Sequence, residues 1–144
     1  MKRQYELYIM NSDLMTSYFG LEGKIFQLFN EMHHCDKQKR VIVEKQIQYI
    51  TKEICFDELE YFLQLQNLYV SNENQILTFS FPETSGIGTV RKEDRFIRIE
   101  VDDSIETEAK FFEVLRHWNK NLFAVEFGIE RYGWLSPIKR QKLA

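Results

Sequence analysis

The sequence predicts an α+β fold in which helices pack on a mostly antiparallel sheet. Residues 96–101 alternate apolar and polar side chains, which is the period of a strand with one buried face. A helical stripe with i, i+3, i+4, i+7 spacing is formed by Phe111, Val114, Leu115 and Trp118. Short turns separate successive strands, which indicates antiparallel pairing. Because no Pro/Ser-rich linker or repeat divides the chain, we expect residues 1–144 to form a single domain.

The first strand is predicted over residues 4–10, where Tyr5, Leu7 and Ile9 alternate with the residues between them. The Asn-Ser-Asp sequence at 11–13 supplies short polar side chains that can cap a helix. A short helix is therefore predicted over residues 13–19, and Gly20 is expected to end it.

Three more segments of the first half are helical in this interpretation. The second helix carries an apolar face and fades into the polar residues 33–40; that face consists of Leu21, Ile25, Leu28 and Met32. Residues 41–51 are ambiguous, because their β-branched side chains favour a strand while a helix is favoured by the spacing of Val43, Ile47, Ile50 and Ile54. We interpret them as a helix, and residues 56–65 as another.

The second half of the chain is predicted to be mainly strands. They cover residues 76–81, 88–92, 96–101 and 122–127. The helix that carries the Phe111 stripe is expected to begin after a cap at residues 102–104. Residues 131–135, which contain a glycine, are predicted to turn the chain and to lay Trp134 over the core.

Composition excludes several classes of protein. A net charge of −3 is unfavourable for a nucleic-acid binder, which needs a basic face. No uninterrupted apolar run exceeds 4 residues, far fewer than a signal peptide or membrane span requires. The two cysteines, Cys35 and Cys55, form no CxxC motif and are too few for a disulfide framework. We therefore expect a cytoplasmic protein with reduced thiols.

No motif predicts catalysis, a metal or a cofactor. The run His33-His34-Cys35 is unsuited to a metal, because consecutive helical residues point about 100° apart. The Ser85-Gly86-Ile87-Gly88 sequence lacks the third glycine of a phosphate loop and is expected to be a hairpin turn. Glu113 and His117, at i and i+4, are typical of a surface pair. An acidic cluster at a predicted helix start suits capping rather than hydrolysis: Asp102, Asp103, Glu106 and Glu108.

Four segments of the chain, taken together, match one known family. The segments are Tyr18-Phe19-Gly20, residues 44–51 (EKQIQYIT), residues 111–115 (FFEVL), and residues 131–135 (RYGWL) with Pro137. They resemble the sporulation inhibitor of replication, SirA, of Bacillus-type spore formers. The resemblance runs in order from Tyr5 to Pro137, and the segments around Gln48 and Trp134 are its most specific parts. Residues 52–95 carry little of it.

The resemblance implies a protein that is not an enzyme. Members of that family bind the N-terminal domain (domain I) of the replication initiator DnaA and restrain initiation as cells commit to sporulation. Three contacts with DnaA carry over to this chain: Leu14, Tyr18 and Gln48. The family has a larger aromatic residue at position 14, so Leu14 keeps an apolar contact but loses ring area.

The residues themselves leave alternatives open at these positions. Leu14 and Tyr18 are i, i+4 on the predicted short helix, and the pair suits either an interface or the core. Gln48 lies between Ile47 and Tyr49, and two orientations of its side-chain amide stay open: it points outward, or it forms a hydrogen bond with a buried backbone group. Two other function classes are a single-stranded nucleic-acid binder with exposed aromatics on a sheet and a small hydrolase built on the acidic cluster.

Overall fold

The computed structural model describes residues 3–13, 20–102 and 105–136. Its helices are α1 (Glu22–His34), α2 (Lys37–Ile50), α3 (Phe56–Gln64) and α4 (Ile105–Trp118), with a short 3-10 turn at Phe127–Ile129. Its strands are β1 (Arg3–Met10), β2 (Thr51–Lys52), β3 (Tyr69–Glu73), β4 (Ile76–Ser80), β5 (Ile87–Lys92), β6 (Ile97–Val101), β7 (Leu122–Glu126) and β8 (Arg131–Trp134). The predicted α+β fold is confirmed.

The strands form one antiparallel sheet in the order β3-β4-β5-β6-β1-β7-β8, and β2 pairs with the end of β1. The first strand of the chain thus lies in the middle of the sheet. Its Leu7 is paired with Ile97 of β6 on one side and with Ala124 of β7 on the other. Every pairing is antiparallel, as the short turns between strands predicted.

Helices cover both faces of the central strands and give two hydrophobic cores. Tyr5, Leu7 and Ile9 of β1 point into the first core, which α3 and α4 cover. Tyr8 and Met10 point into the second core, which α1 and α2 cover. Because successive strand residues face opposite sides, β1 is apolar on both faces except at its polar start.

The second predicted helix is α1, and the helix predicted at residues 41–51 is α2, which begins four residues earlier than predicted. The polar residues 33–40 do not form a long connection; α1 ends at His34 and α2 begins at Lys37. Asp36 makes the early start possible, because its side chain accepts a hydrogen bond from the Lys39 backbone amide at 2.8 Å. The helical interpretation of residues 41–51 is confirmed up to Ile50.

Residues 131–135 were predicted to turn the chain, and that prediction is wrong. They form the edge strand β8, in which Trp134 is paired with Phe123 of β7. The turn precedes them at Glu130, which has a φ of 51°. The rings do lie over the second core: Tyr132 stacks on Phe26 with 4.7 Å between ring centroids. The strand β3 was not predicted, because most of its residues are exposed and it lies at the edge of the sheet.

The helix stripe that opened the sequence prediction is confirmed in α4. Phe111 and Leu115 are completely buried, while Val114 and Trp118 pack against the first core and are half-buried. Residues 103 and 104 of the predicted cap lie outside the described residues. The predicted short helix at 13–19 also lies outside them, apart from Asp13.

Candidate functional site

Helix α2 places Gln48 on the surface of the protein. Val43 and Ile47 are buried against the second core, so the opposite side of the helix faces solvent. Gln48 lies on that exposed side. Within the described ranges its amide makes no hydrogen bond, so both the carbonyl and the NH₂ group are open to a partner. Of the two arrangements that the sequence left open, the structure has the outward one.

A groove of about 290 Å³ runs beside Gln48, between α2 and the turn that joins β5 to β6. Its apolar lining comes from Tyr8, Met32, Ile47 and Phe96, and its charged lining from Arg40, Glu44, Glu93, Asp94 and Arg95. The Tyr8 ring stacks on Phe29 at 3.9 Å between centroids. Burial raises the pKa of Tyr8, so its hydroxyl stays protonated. The groove therefore combines aromatic side chains with charged side chains of both signs.

The solvent face of α2 also exposes large apolar side chains. Val41, Ile42 and Tyr49 are 54%, 60% and 68% exposed. Single exposed hydrophobic residues are ordinary, but three on one helix that also exposes an unbonded amide are typical of a protein-binding surface. None of these three residues was predicted to form part of a binding surface. In the sequence they form a second set of apolar residues in α2, separate from the stripe of Val43, Ile47 and Ile50.

Leu14 and Tyr18, the other two predicted contact residues, lie outside the described residues. The segment that leads to them is held against the end of α2. The Asn11 backbone amide donates to the Ile50 carbonyl at 2.7 Å, and Lys52 Nζ donates to Ser12 Oγ at 3.5 Å. Residues 11–13 therefore lie beside the helix end that carries Gln48.

Three of the residues considered for catalysis, Glu108, Glu113 and His117, have structural partners. Glu108 of the acidic cluster is buried and accepts hydrogen bonds from Arg3 at 3.4 Å and Arg131 at 3.1 Å. Glu113 pairs on the surface with Arg116, which lowers the pKa of its carboxyl, and with His117. Within the part of the chain that is described, no group of three or more His, Cys, Asp or Glu side chains is placed to hold a metal ion.

The glycine motif at residues 85–88 serves packing as well as turning. Residues 81–86 connect β4 to β5, in agreement with the predicted hairpin. Gly88, however, belongs to β5 itself, and the Phe79 ring lies directly against its Cα. A side chain at this position would overlap the ring, which explains the glycine without a phosphate ligand.

The uncovered part of the sheet gives little support to nucleic-acid binding. On the side where α1 and α2 lie, β4 and β5 contribute nothing to the second core. The residues on that side of β4, β5 and β6 are Ile76, Thr78, Ser80, Ile87, Thr89, Arg91, Arg98 and Glu100. None of these eight is aromatic, and the edge strand β3 adds one exposed ring on this side, Tyr69. One ring is fewer than the row of stacking rings that single-strand binders use.

Comparison with known proteins gives the family. The family model described as "Sporulation inhibitor of replication protein SirA" matches residues 3–139. The chain belongs to the SirA family. A SirA relative from Bacillus subtilis (strain 168), "Sporulation inhibitor of replication protein SirA", is 34% identical over 146 residues, which covers 98% of this chain and 98% of the relative. The resemblance seen in the sequence segments is thereby confirmed over almost the whole chain.

The SirA-family match includes all three residues of the predicted contact set, since positions 14, 18 and 48 fall within residues 3–139.

Among the helices described here, none is both long enough and apolar enough to cross a membrane.

Proposed function

We propose that this SirA-family protein inhibits the initiation of DNA replication during sporulation by binding domain I of the initiator DnaA. It acts as a stoichiometric binding partner and not as an enzyme. The observation that carries the proposal is the outer face of α2, where the unbonded amide of Gln48 adjoins exposed apolar side chains. Family membership supports the biological context, since both the family and the Bacillus relative are named for inhibition of replication in sporulation.

The chemistry of the surface suits a protein partner. Stable interfaces combine an apolar centre with a few polar groups that fix the orientation of the partner. Ile42 and Tyr49 supply apolar area, and the Gln48 amide can donate and accept at once. A backbone segment of the partner, which carries one donor and one acceptor per residue, would satisfy that amide.

Leu14 and Tyr18 enter the proposal through the family resemblance. Residues 11–13, which precede Leu14 in the chain, lie beside the C-terminal end of α2. This position supports a single binding surface to which Leu14, Tyr18 and Gln48 all contribute. Tyr18 supplies a large, stiff ring of the kind that dominates interface energetics. Leu14 supplies less area than the aromatic residue of the family, so we assign it the smaller share of the affinity.

The decisive experiment measures the affinity of purified DnaA domain I for the wild-type protein and for two variants, Tyr18→Ala and Gln48→Ala. Truncation of a central interface ring commonly costs about 2 kcal/mol, so Tyr18→Ala should weaken binding about thirtyfold. Gln48→Ala should weaken it about tenfold, through the loss of hydrogen bonds to the partner. Melting temperature and circular dichroism should stay close to those of the wild type.

Two exposed residues of α3, on the other side of the sheet, provide matched controls. Tyr61→Ala removes an exposed tyrosine and Gln64→Ala an exposed glutamine, and both should leave the affinity unchanged. Absence of binding by the wild-type protein would refute the proposal. Unfolding of the Tyr18→Ala protein would show that Tyr18 is a core residue and would remove it from the contact set.

A further inference from the structure

The edge strand β3 has one side that no described strand covers. β3 (Tyr69–Glu73) pairs with β4 alone and ends the sheet. Its backbone, about 17 Å long, therefore has hydrogen-bonding groups without a partner strand on the outer side. This edge of the sheet is the more open of the two, because α1 lies against β8, where Tyr132 stacks on Phe26.

The turn between β3 and β4 determines which backbone groups of β3 point outward. It consists of Asn74 and Gln75, whose φ angles are 55° and 65°. Two residues with positive φ are typical of the type I′ turn of a tight hairpin. In such a turn the carbonyl before the two residues accepts from the amide after them, so Glu73 and Ile76 form a hydrogen-bonded pair.

The outward backbone groups belong to Val70 and Asn72. Hydrogen-bonded pairs recur at every second residue of an antiparallel ladder, so Tyr69 and Ser71, like Glu73, bond to β4. The N–H and C=O groups of Val70 and Asn72 therefore point away from it. Proteins commonly protect such an edge with lysine, other charged side chains or proline. β3 contains no lysine, arginine or proline, and its one charged residue is Glu73.

The sequence of β3 is complementary to itself in one antiparallel register. When Val70 of one copy lies opposite Asn72 of a second copy, two such pairs form across a two-fold axis, and each exchanges two hydrogen bonds. Ser71 then lies on the axis opposite its own counterpart. Tyr69 lies opposite Glu73, in the kind of pair that brings side chains closest, so its hydroxyl can donate to the carboxylate. This register also keeps the two carboxylates apart.

The side chains of these outer pairs lie on the uncovered side of the sheet. Tyr69, Ser71 and Glu73 are all exposed, and Tyr69 is 65% exposed. On the other side of β3, Asn72 Nδ2 donates to Glu60 Oε1 of α3 at 2.8 Å. The edge strand is thus fixed to its own helix in each copy, and such preorganisation lowers the entropic cost of association.

We propose that this protein forms a two-fold symmetric dimer in which the β3 strands of two copies pair antiparallel around Ser71, so that the two sheets become one. One short strand from each copy makes a small interface of the transient class, and the dimer is therefore concentration dependent. The inference does not rest on the function proposed above. β3 is separated from the second core, on which α2 packs, by β4 and β5, and these strands contribute nothing to that core.

Cysteine cross-linking tests the dimer and its register. The background variant Cys35→Ala/Cys55→Ala removes the natural thiols. In that background Ser71→Cys should form a disulfide-linked dimer on mild oxidation, because the two residues on the axis lie within bridging reach. Ser80→Cys, on the same side of the sheet one strand further in, is the matched control and should stay monomeric. Equal cross-linking of the two variants would overturn the proposal.

A proline variant tests the backbone pairing by sedimentation over a concentration series. Asn72→Pro removes the outward N–H of each copy and leaves the ladder to β4 intact, so it should weaken dimerisation about tenfold or more. Asn72→Ala loses the same side chain but keeps the N–H, and it should dimerise within about twofold of the wild type. Equal dimerisation of these two variants would contradict the proposal, as would a wild-type protein that stays monomeric up to about 1 mM. Circular dichroism checks the fold, and if the proline variant unfolds, the Ser71→Cys result decides alone.

Discussion

Arg131 of β8 donates a hydrogen bond to the buried carboxylate of Glu108 on α4 at 3.1 Å. The same guanidinium contacts the Tyr5 hydroxyl and lies 3.4 Å from the carboxylate of Glu126, which is also buried. Arg3 of β1 reaches Glu108 from the other side at 3.4 Å. Two buried acids are thus balanced by two arginines from different strands. This arrangement ties the last strand of the chain to α4 and to the centre of the sheet.

Replacement of Arg131 by Met should destabilise the protein by about 1–3 kcal/mol, because buried carboxylate oxygens lose their charged partner while the aliphatic stem is kept. Chemical denaturation with urea measures the change. Arg116→Met is the matched control, since its partner Glu113 is exposed, and it should change stability little. Equal stabilities for the two variants would show that the Arg131 network is not a determinant of stability.

Gly88→Ala should destabilise the protein by about 1–3 kcal/mol or more, because the new methyl group would overlap the Phe79 ring. That ring cannot move aside, since it is stacked on Phe111 at 3.6 Å and both rings are buried. Thermal unfolding measures the effect. Gly133→Ala in β8 is a strand glycine with open space around it, and it should melt near the wild-type temperature.

The buried Tyr8 predicts a loss of stability at alkaline pH. Its pKa is raised in the folded protein, mainly by burial, above the ordinary value of 10.0 that the unfolded chain regains. The unfolded state therefore loses this proton first, so the contribution is constant below pH about 10 and declines as the pH rises further. In Tyr8→Phe the decline between pH 9 and 11, about one unit on each side of that value, should be shallower. Denaturation midpoints across that range provide the measurement, and identical slopes would contradict the assignment.

Under the proposed function inhibition should be stoichiometric, because a binding inhibitor acts by occupying its target. One inhibitor molecule should neutralise one DnaA molecule, and DnaA should be recovered chemically unchanged. Origin unwinding titrated against inhibitor at two incubation times measures this. Identical curves that reach completion at equimolar inhibitor are expected. Loss of activity that grows with time at trace inhibitor would indicate an enzyme.

Strong periodicity made most of the fold predictable. The strand predicted at residues 4–10 is β1 (Arg3–Met10), and the helix predicted at 56–65 is α3 (Phe56–Gln64). Both have a clear apolar period because each element buries one whole face in a hydrophobic core. The start of α2 was missed because its first turns are polar and exposed, so that only the Asp36 cap marks them.

The two edge strands were missed for a different physical reason. β3 and β8 each pair on one side only, and their identity as strands depends on hydrogen bonds to β4 and β7. Such pairing is a long-range property for β8, whose Trp134 faces Phe123 in the ladder. Arg131 and Gly133 locally favour a turn, and only the tertiary contacts of the strand override that preference.

The candidate site was only partly visible in the sequence. Gln48 could be named from the resemblance, but its exposure follows from which side of α2 meets the sheet, and that depends on Val43 and Ile47. The role proposed for Ile42 and Tyr49 was not anticipated, because apolar residues in a helix are normally assigned to the core. Leu14 and Tyr18 stay predictions, since they lie outside the described residues.

The central position of β1 has a consequence for biosynthesis. The strand is translated well before its neighbours, and Leu7 can be paired on both sides only after Ile97 and Ala124 have been synthesised. At the usual rate of protein synthesis this delay is roughly ten seconds. A nascent chain that ends after α3 already contains the whole outer face of α2 but lacks both strands that hold β1 in place. Inhibitory activity should therefore appear abruptly once β7 has been synthesised, and fragments truncated before β7 should have none.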